Sequence, residues 1–212
     1  MRHGQDDEDY IGGWSDVRLI DKGIEDVKNN AVWIKDNLNI KKIICSNVLR
    51  CRETTKIVNG KLNVDVEYTD NLREQNKGLL NGVKKCEAYK SYKEFLNNIH
   101  IYSKYPNGES LLDLYNRIKV YLEYILRMDD DTLLITHRGV INMIYFITLN
   151  KELDMNKKQF NVDTASIHEL DKNLKKINQD KTIRIIIVRK NNKFVLEYCS
   201  DERILIRGYE LI

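Results

Sequence analysis

Helix-length amphipathic stretches alternate along this chain with short apolar runs, and that alternation leaves few architectures open. From Ile20 the apolar residues fall at Ile20, Ile24, Val27, Ala31, Ile34 and Leu38, a single helical face with steps of four and three. Asp21 stands where an N-cap would, with Glu25 and Asp26 near the positive end of the helix dipole. Residues 42–45 read as a strand, Ser46 as the cap of a helix over about 47–59, and 64–68 as a second strand. A helix is predicted over 83–101, with Tyr89, Tyr92, Phe95 and Leu96 as its apolar side, broken by Pro106-Asn107-Gly108. Ser110 begins a longer helix that carries Leu111, Leu114, Ile118, Tyr121 and Ile125 on one face. Residues 132–136 form a buried-type strand and 139–150 an apolar helix. Three more strands are predicted at 164–170, 183–188 and 194–198, the last two joined at Asn191-Asn192 because Asn tolerates left-handed backbone. Strands alternating with helices predict an α/β layer fold with a mostly parallel central sheet flanked by helices.

At 212 residues the chain suits one domain with a sizeable core. It is read as a single domain over 1–212, with 83–105 as a lid-like insertion and 171–212 as a C-terminal strand extension. Hydrophobic residues are 42% and charged residues 32%, and no apolar run approaches the length of a membrane span. The charged opening is unlike a signal peptide. Cys45, Cys51, Cys86 and Cys199 are scattered, as expected of reduced thiols in a cytoplasmic protein rather than of a disulfide scaffold. With 35 basic against 32 acidic residues, charge gives no reason to expect a nucleic-acid partner.

In open α/β sheets, function gathers at the carboxyl ends of the strands. Arg2 and His3 precede the first loop, Arg50 lies in the first turn of the helix after the 42–45 strand, Glu74 follows the 64–68 strand, and His137 directly follows 132–136. Two histidines, two arginines and a glutamate would then face one crevice. Phosphoryl transfer asks for such a set: positioning, and cations around the equatorial oxygens. Arginine forks bind those oxygens in bidentate fashion, a neutral imidazole can attack phosphorus, and a carboxylic acid can protonate the leaving alkoxide. The arginines and histidines supply the positive charge, so neither metal nor cofactor is expected. No glycine-rich phosphate loop or convincing acidic metal cluster occurs. Taken singly, His137 could be a satisfied core histidine, Arg50 a surface residue and Glu74 a solvated one. His100 and His168 are read as structural.

These residues lie in motifs that follow one another in register: Arg2-His3-Gly4-Gln5; Gly13-Trp14-Ser15-Asp16 with Leu19 and Gly23; Ser46-Asn47-Val48-Leu49-Arg50-Cys51-Arg52-Glu53-Thr54; Leu72-Arg73-Glu74 with Gly78; Gly108-Glu109-Ser110; and Thr136-His137-Arg138-Gly139. The chain thereby resembles the histidine phosphatase superfamily, which includes cofactor-dependent phosphoglycerate mutase. The resemblance implies that His3 is the phosphate-accepting nucleophile and that Arg2, Arg50 and His137 hold the phosphoryl group. It implies Glu74 as the general acid. Glu109 falls near the phosphate pocket by its motif position and is placed among the substrate-binding groups, although it could simply begin the helix after Gly108.

Several features depart from the family pattern. The family has a central apolar strand before Arg-His-Gly, whereas here only Met1 precedes it. A strand needs about five residues, so the central strand is expected to be truncated, the start to have been assigned too late, and His3 to be poorly anchored or the sheet filled in some unusual way. Asp6 and Asp9 stand where the family commonly has Thr and Asn. Either they turn to solvent, or they select a substrate bearing a cation or hydroxyls near its phosphate. Lys77 takes the place of a mutase Tyr and no Arg-Arg pair occurs in the insertion, although Lys85 falls at a mutase-like lysine position.

The chain is therefore expected to be a cytoplasmic, metal-independent phosphomonoesterase acting on a small phosphorylated metabolite through a phosphohistidine. A mutase-type isomerase and a non-catalytic binding or regulatory protein are the alternatives. The C-terminal strands leave a homodimer edge and a sheet extension both open.

Overall fold

The computed structural model describes residues 1–128, 130–155 and 160–170. The predicted strands at 183–188 and 194–198, their turn, and the 171–212 extension lie outside them. The chain forms two compact units, Met1–Ser166 and Ile167–Ile212. The first carries every helix and strand of the described residues.

Three parallel strands, β1 (Lys42–Ser46), β2 (Asp65–Thr69) and β3 (Thr132–Ile135), lie in the order β2-β1-β3. Ile43 stands opposite Val66 on one side and Leu133 on the other. Successive side chains of a strand point to opposite faces, and both faces are covered. Ile44 and Leu134 pack into a core of Leu114, Ile118, Tyr121, Val140, Met143 and Phe146, supplied by α4 (Leu111–Ile125) and α5 (Arg138–Thr148). Ile43 and Cys45 are fully buried on the other face. There α1 (Asp21–Asn37) packs on α2 (Leu49–Leu62). The expected layering is thus present; α1, α4 and α5 are held by apolar stripes, whereas α2 buries Arg50, Thr54 and Thr55 beside Cys51 and Val58.

Val27, Ala31 and Ile34 of α1 are buried, as their spacing predicts. Asp21, however, is the first helical residue, not the cap; Ile20 occupies that position, with no capping side chain. Gly23 lies against the chain just after His3, where a Cβ would come within 2.2 Å of the Gln5 carbonyl oxygen. Ser46 likewise caps nothing: it ends β1, and Val48 is the N-cap of α2. Ser110 does cap its helix, in a reciprocal box with Asp113.

The expectation of a poorly anchored His3 is corrected, and the sheet is filled in an unusual way. Met1–His3 lie parallel to β3, bridged at Arg2 and Thr136. The His3 amide donates to the Thr136 carbonyl at 2.9 Å and the Thr136 amide to the Met1 carbonyl at 3.0 Å. On the far side the Arg2 amide donates to Ser166 and the Ala165 amide to the His3 carbonyl, both at 2.9 Å. This short segment is bonded along both edges. The partner segment is not the extended strand predicted over 164–170: Ala165 has φ +58°, and Ser166 turns back to bond Asp163.

Helix α3 (Lys85–Asn97) leaves helical geometry at Tyr92. Its Ala88, Tyr92, Phe95 and Leu96 pack with Leu80, Tyr105, Ile11 and Val83 in a small separate core. Tyr89, expected on the apolar side, is 54% exposed and donates its hydroxyl to Asn97. Backbone bonds between Ile11 and Val83, Gly82 and Ile11, and Lys85 and Asp9 stitch this region to the acidic N-terminal loop. Among the described residues no helix is long and apolar enough to cross a membrane.

Candidate active site

The N-terminal strand, the first turn of α2 and the end of β3 bring His3, Arg50 and His137 together, with the two imidazole centroids 5.2 Å apart. Arg50 is the hub. Its guanidinium is almost fully buried, with Nε donating to His3 Nε2 at 3.2 Å and Nη2 to the Gly13 carbonyl at 2.7 Å. Nη2 also lies 3.0 Å from His137 Nδ1. Nη1 reaches the Ser15 carbonyl and hydroxyl at 3.3 and 3.4 Å.

A guanidinium can only donate and a carbonyl can only accept, so these contacts determine both tautomers. His3 Nδ1 lies 2.7 Å from the Gly4 carbonyl and must carry the proton, which leaves a lone pair on Nε2. His137 receives Arg50 on Nδ1, so its proton sits on Nε2 and is donated to the Ser46 hydroxyl at 2.9 Å. Burial, and then the charge of Arg50, hold both histidines well below the usual imidazole range; Arg2 adds to this at His3, and His3 and Arg2 add to it at His137. The site therefore presents a neutral imidazole with a free electron pair beside a cation, which is the electronic state a nucleophile at phosphorus requires.

Arg2 lies beside this group. Its Nη1 donates to the Val162 carbonyl at 2.8 Å. Its buried Nε has no partner among the described residues. Burial, and then Arg138, bring its pKa down to about 10, so it remains a cation at neutral pH.

Glu74 extends from the loop after β2 to the start of α5. Its Oε1 accepts from the Gln75 amide at 2.8 Å and its Oε2 from the Gly139 amide at 3.0 Å. The loop itself is clamped by Arg117 of α4, which donates to the carbonyls of Asn71, Arg73 and Glu74. Glu109 completes that clamp. Its carboxylate takes both Arg117 Nε at 3.0 Å and Nη2 at 2.9 Å, together with the Asn76 amide. Its carboxylate thus bonds Arg117 and the loop bearing Glu74, not the His3–Arg50–His137 group.

Asp6 is the feature that sequence reasoning left undecided. Asp7, Glu8 and Asp9 are exposed, but the Asp6 side chain turns inward, and its Oδ2 lies 3.5 Å from Arg50 Nε. Other participants were not among the expected site residues: the Ser46 hydroxyl, read as a helix cap; Cys51, with its sulfur 3.4 Å from His137 Nε2; and Arg117, which had no reading in the sequence. Lys77 is half-buried, donates to Tyr105 and Gln75, and is lowered to about 8 by burial. Among the described residues no cluster of potential ligands could hold a metal ion.

A family model described as the histidine phosphatase superfamily, branch 1, matches residues 1–182. The chain belongs to this superfamily. A probable phosphatase of Schizosaccharomyces pombe is 34% identical over 154 residues, 68% of this chain and 69% of the relative. An Arabidopsis thaliana protein named phosphoglycerate mutase-like protein 4 is 31% identical over 155 residues, 68% and 67% of the two chains. The crystal structure of the alpha-ribazole phosphatase from Shigella flexneri shares the fold, with a TM-score of 0.70 at 18% identity, over 81% of this chain and 89% of that one. In this member of the superfamily, then, the Arg-His-Gly start, the Arg50 helix and the Thr136-His137 strand end converge at one site.

Proposed function

We propose that this chain is a phosphomonoesterase that hydrolyses a small phosphorylated metabolite, without metal, through a phosphohistidine at His3. The observation that carries the reading is the lone pair of His3 Nε2, held toward Arg50 by the proton that Nδ1 gives to Gly4. The phosphoryl group enters between that nitrogen and the guanidinium groups of Arg50 and Arg2. As phosphorus meets Nε2, the Arg50 Nε–H turns from nitrogen to a phosphoryl oxygen, and the Arg2 Nε–H, without a partner among the described residues, supplies another donor. The N–P bond forms and the P–O bond to the leaving group breaks. Glu74, as its carboxylic acid, gives its proton to the departing alkoxide. Water then attacks phosphorus, Glu74 takes a proton from it, the N–P bond breaks, and inorganic phosphate leaves. His137 donates to Ser46 in the resting state and backs Arg50 through Nδ1.

Hydrolysis is favoured over isomerisation because Lys77 is turned back onto Tyr105 and Gln75. It is therefore not presented as a free cation for a second anionic group. The test is to trap the intermediate. After brief exposure to a phosphomonoester, wild type should carry a phosphoryl group that is labile in acid and stable in base, located on His3 and absent from His3→Gln. Equal aryl phosphate hydrolysis by His3→Ala and wild type would refute the enzymatic reading.

A further inference from the structure

The inward carboxylate of Asp6 is unlike anything the proposed reaction calls for, since acids beside a phosphate pocket repel a dianion. Its Oδ2 lies 3.5 Å from Arg50 Nε, the same nitrogen that meets the nucleophilic Nε2 of His3 at 3.2 Å. The side chain is 13% exposed, and the backbone on either side is held: Asp6 bridges Leu19, and the Gln5 carbonyl receives the Ile20 amide. Asp6 is thus directed at the point where the phosphoryl oxygens arrive, while its acidic neighbours turn to solvent.

We propose that Asp6 makes this pocket bind a phosphate monoester together with one additional proton, shared between the Asp6 carboxyl and a phosphoryl oxygen. The inference rests on the phosphatase reading. At neutral pH an alkyl phosphate is largely a dianion, its second pKa being about 6. With Asp6 ionised, one carboxylate faces two negative oxygens across a buried site of low dielectric. Taking up a proton replaces that repulsion with an O–H···O bond. The charged groups acting on Asp6 are Arg50 from α2 and Arg2 and Glu8 from its own segment. Burial raises its pKa above the ordinary aspartate value, while Arg50 and Arg2 oppose the rise, and a further anion acts in the same direction as burial. Asp6 thereby sets specificity by charge state: the site favours phosphates that retain or acquire a proton, and it weakens toward alkaline pH.

The test uses inorganic phosphate as ligand and isothermal titration calorimetry of the full chain from pH 6 to 9, in pairs of buffers that differ in ionisation heat. Above pH 7, wild type should take up close to one proton more per phosphate than Asp6→Asn. At pH 8 the variant should bind phosphate about ten- to a hundredfold more tightly, the scale expected when one unit charge is removed within a few ångströms of a bound anion at intermediate dielectric. Asp6→Thr, which also removes the charge, should behave like Asp6→Asn and guards against an effect peculiar to the amide. Equal proton counts and parallel pH dependence in all three proteins would overturn the inference while leaving the phosphatase reading intact. Failure of either variant alone to bind phosphate would overturn the inference, and failure of all three proteins to bind it would overturn both.

Discussion

Replacing Gly139 with Ala separates the placement of the proposed acid from the stability of the fold. A Cβ at residue 139 would lie 2.1 Å from Glu74 Oε1 and 2.9 Å from its Cδ. Cβ contacts below 3.0 Å essentially do not occur, so the carboxyl must retreat by roughly 1 Å, a displacement that costs a catalytic group about a hundredfold in rate. The atoms that must move are the far end of a flexible side chain, not backbone. Ala in a helix is favoured over Gly by up to about 1 kcal/mol, and the weakened bond from the Gly139 amide to Oε2 costs about as much. Stability in urea should therefore stay within about 1 kcal/mol of wild type. The kinetic loss should depend on the leaving group. For an alkyl phosphate, whose alkoxide needs a proton, kcat/KM, which reports phosphorylation of His3, should fall about a hundredfold, toward the level of Glu74→Gln. For a nitrophenyl phosphate, whose leaving group departs unprotonated, kcat/KM should change only severalfold, while its kcat falls through the common hydrolysis of the phosphohistidine. Equal losses of kcat/KM on both substrates, or kcat/KM on the alkyl phosphate within twofold of wild type, would refute the assignment of Glu74.

Two further outcomes follow from the same geometry. Arg50→Lys keeps the charge but loses the fork that holds Gly13, Ser15, His3 and His137 together. With each stranded buried acceptor costing about 1–3 kcal/mol, urea unfolding should show a loss of roughly 2–5 kcal/mol, and kcat/KM should fall at least about a hundredfold. The buried histidines predict acid sensitivity. Below about pH 6.5 the unfolded chain protonates both imidazoles, whereas folded His3 and His137 stay neutral until well below that. In that window the unfolded state binds more protons, so stability is lost as pH falls, by up to about 1.4 kcal/mol per pH unit for each histidine. Unfolding free energies between pH 5 and 7 should show this slope reduced in His137→Gln, and an unchanged slope would contradict the neutral assignment.

Regular, local features were legible in the sequence. The four-and-three spacing of α1 and the apolar runs of β1 and β3 follow from burial alone, so the layers and the convergence of His3, Arg50 and His137 could be anticipated. What could not be read depends on partners distant in the chain. A serine before a helix looks the same whether it caps that helix or, like Ser46, receives a proton from a histidine 91 residues away. Asp6 in a run of four acids carries no mark of direction, because its inward turn depends on the buried Arg50, 44 residues on. Glu109 and Arg117 are eight residues apart and two helical turns do not predict their pairing, which draws in the loop of Glu74 as a third body. Met1–His3 are too short to register as a strand, since their hold comes from Thr136 and Ala165.

That last pairing has a consequence for how the protein is made. His3 leaves the ribosome long before its backbone partners, residues 136 and 165. At roughly 5–20 residues per second, the segment bearing His3 waits on the order of ten seconds before either edge of its place in the sheet exists. The candidate site is thus assembled late in translation, after β1, α2 and β3 have formed the surface that receives the His3 strand. A nascent chain arrested before residue 136 should have no phosphate site at all.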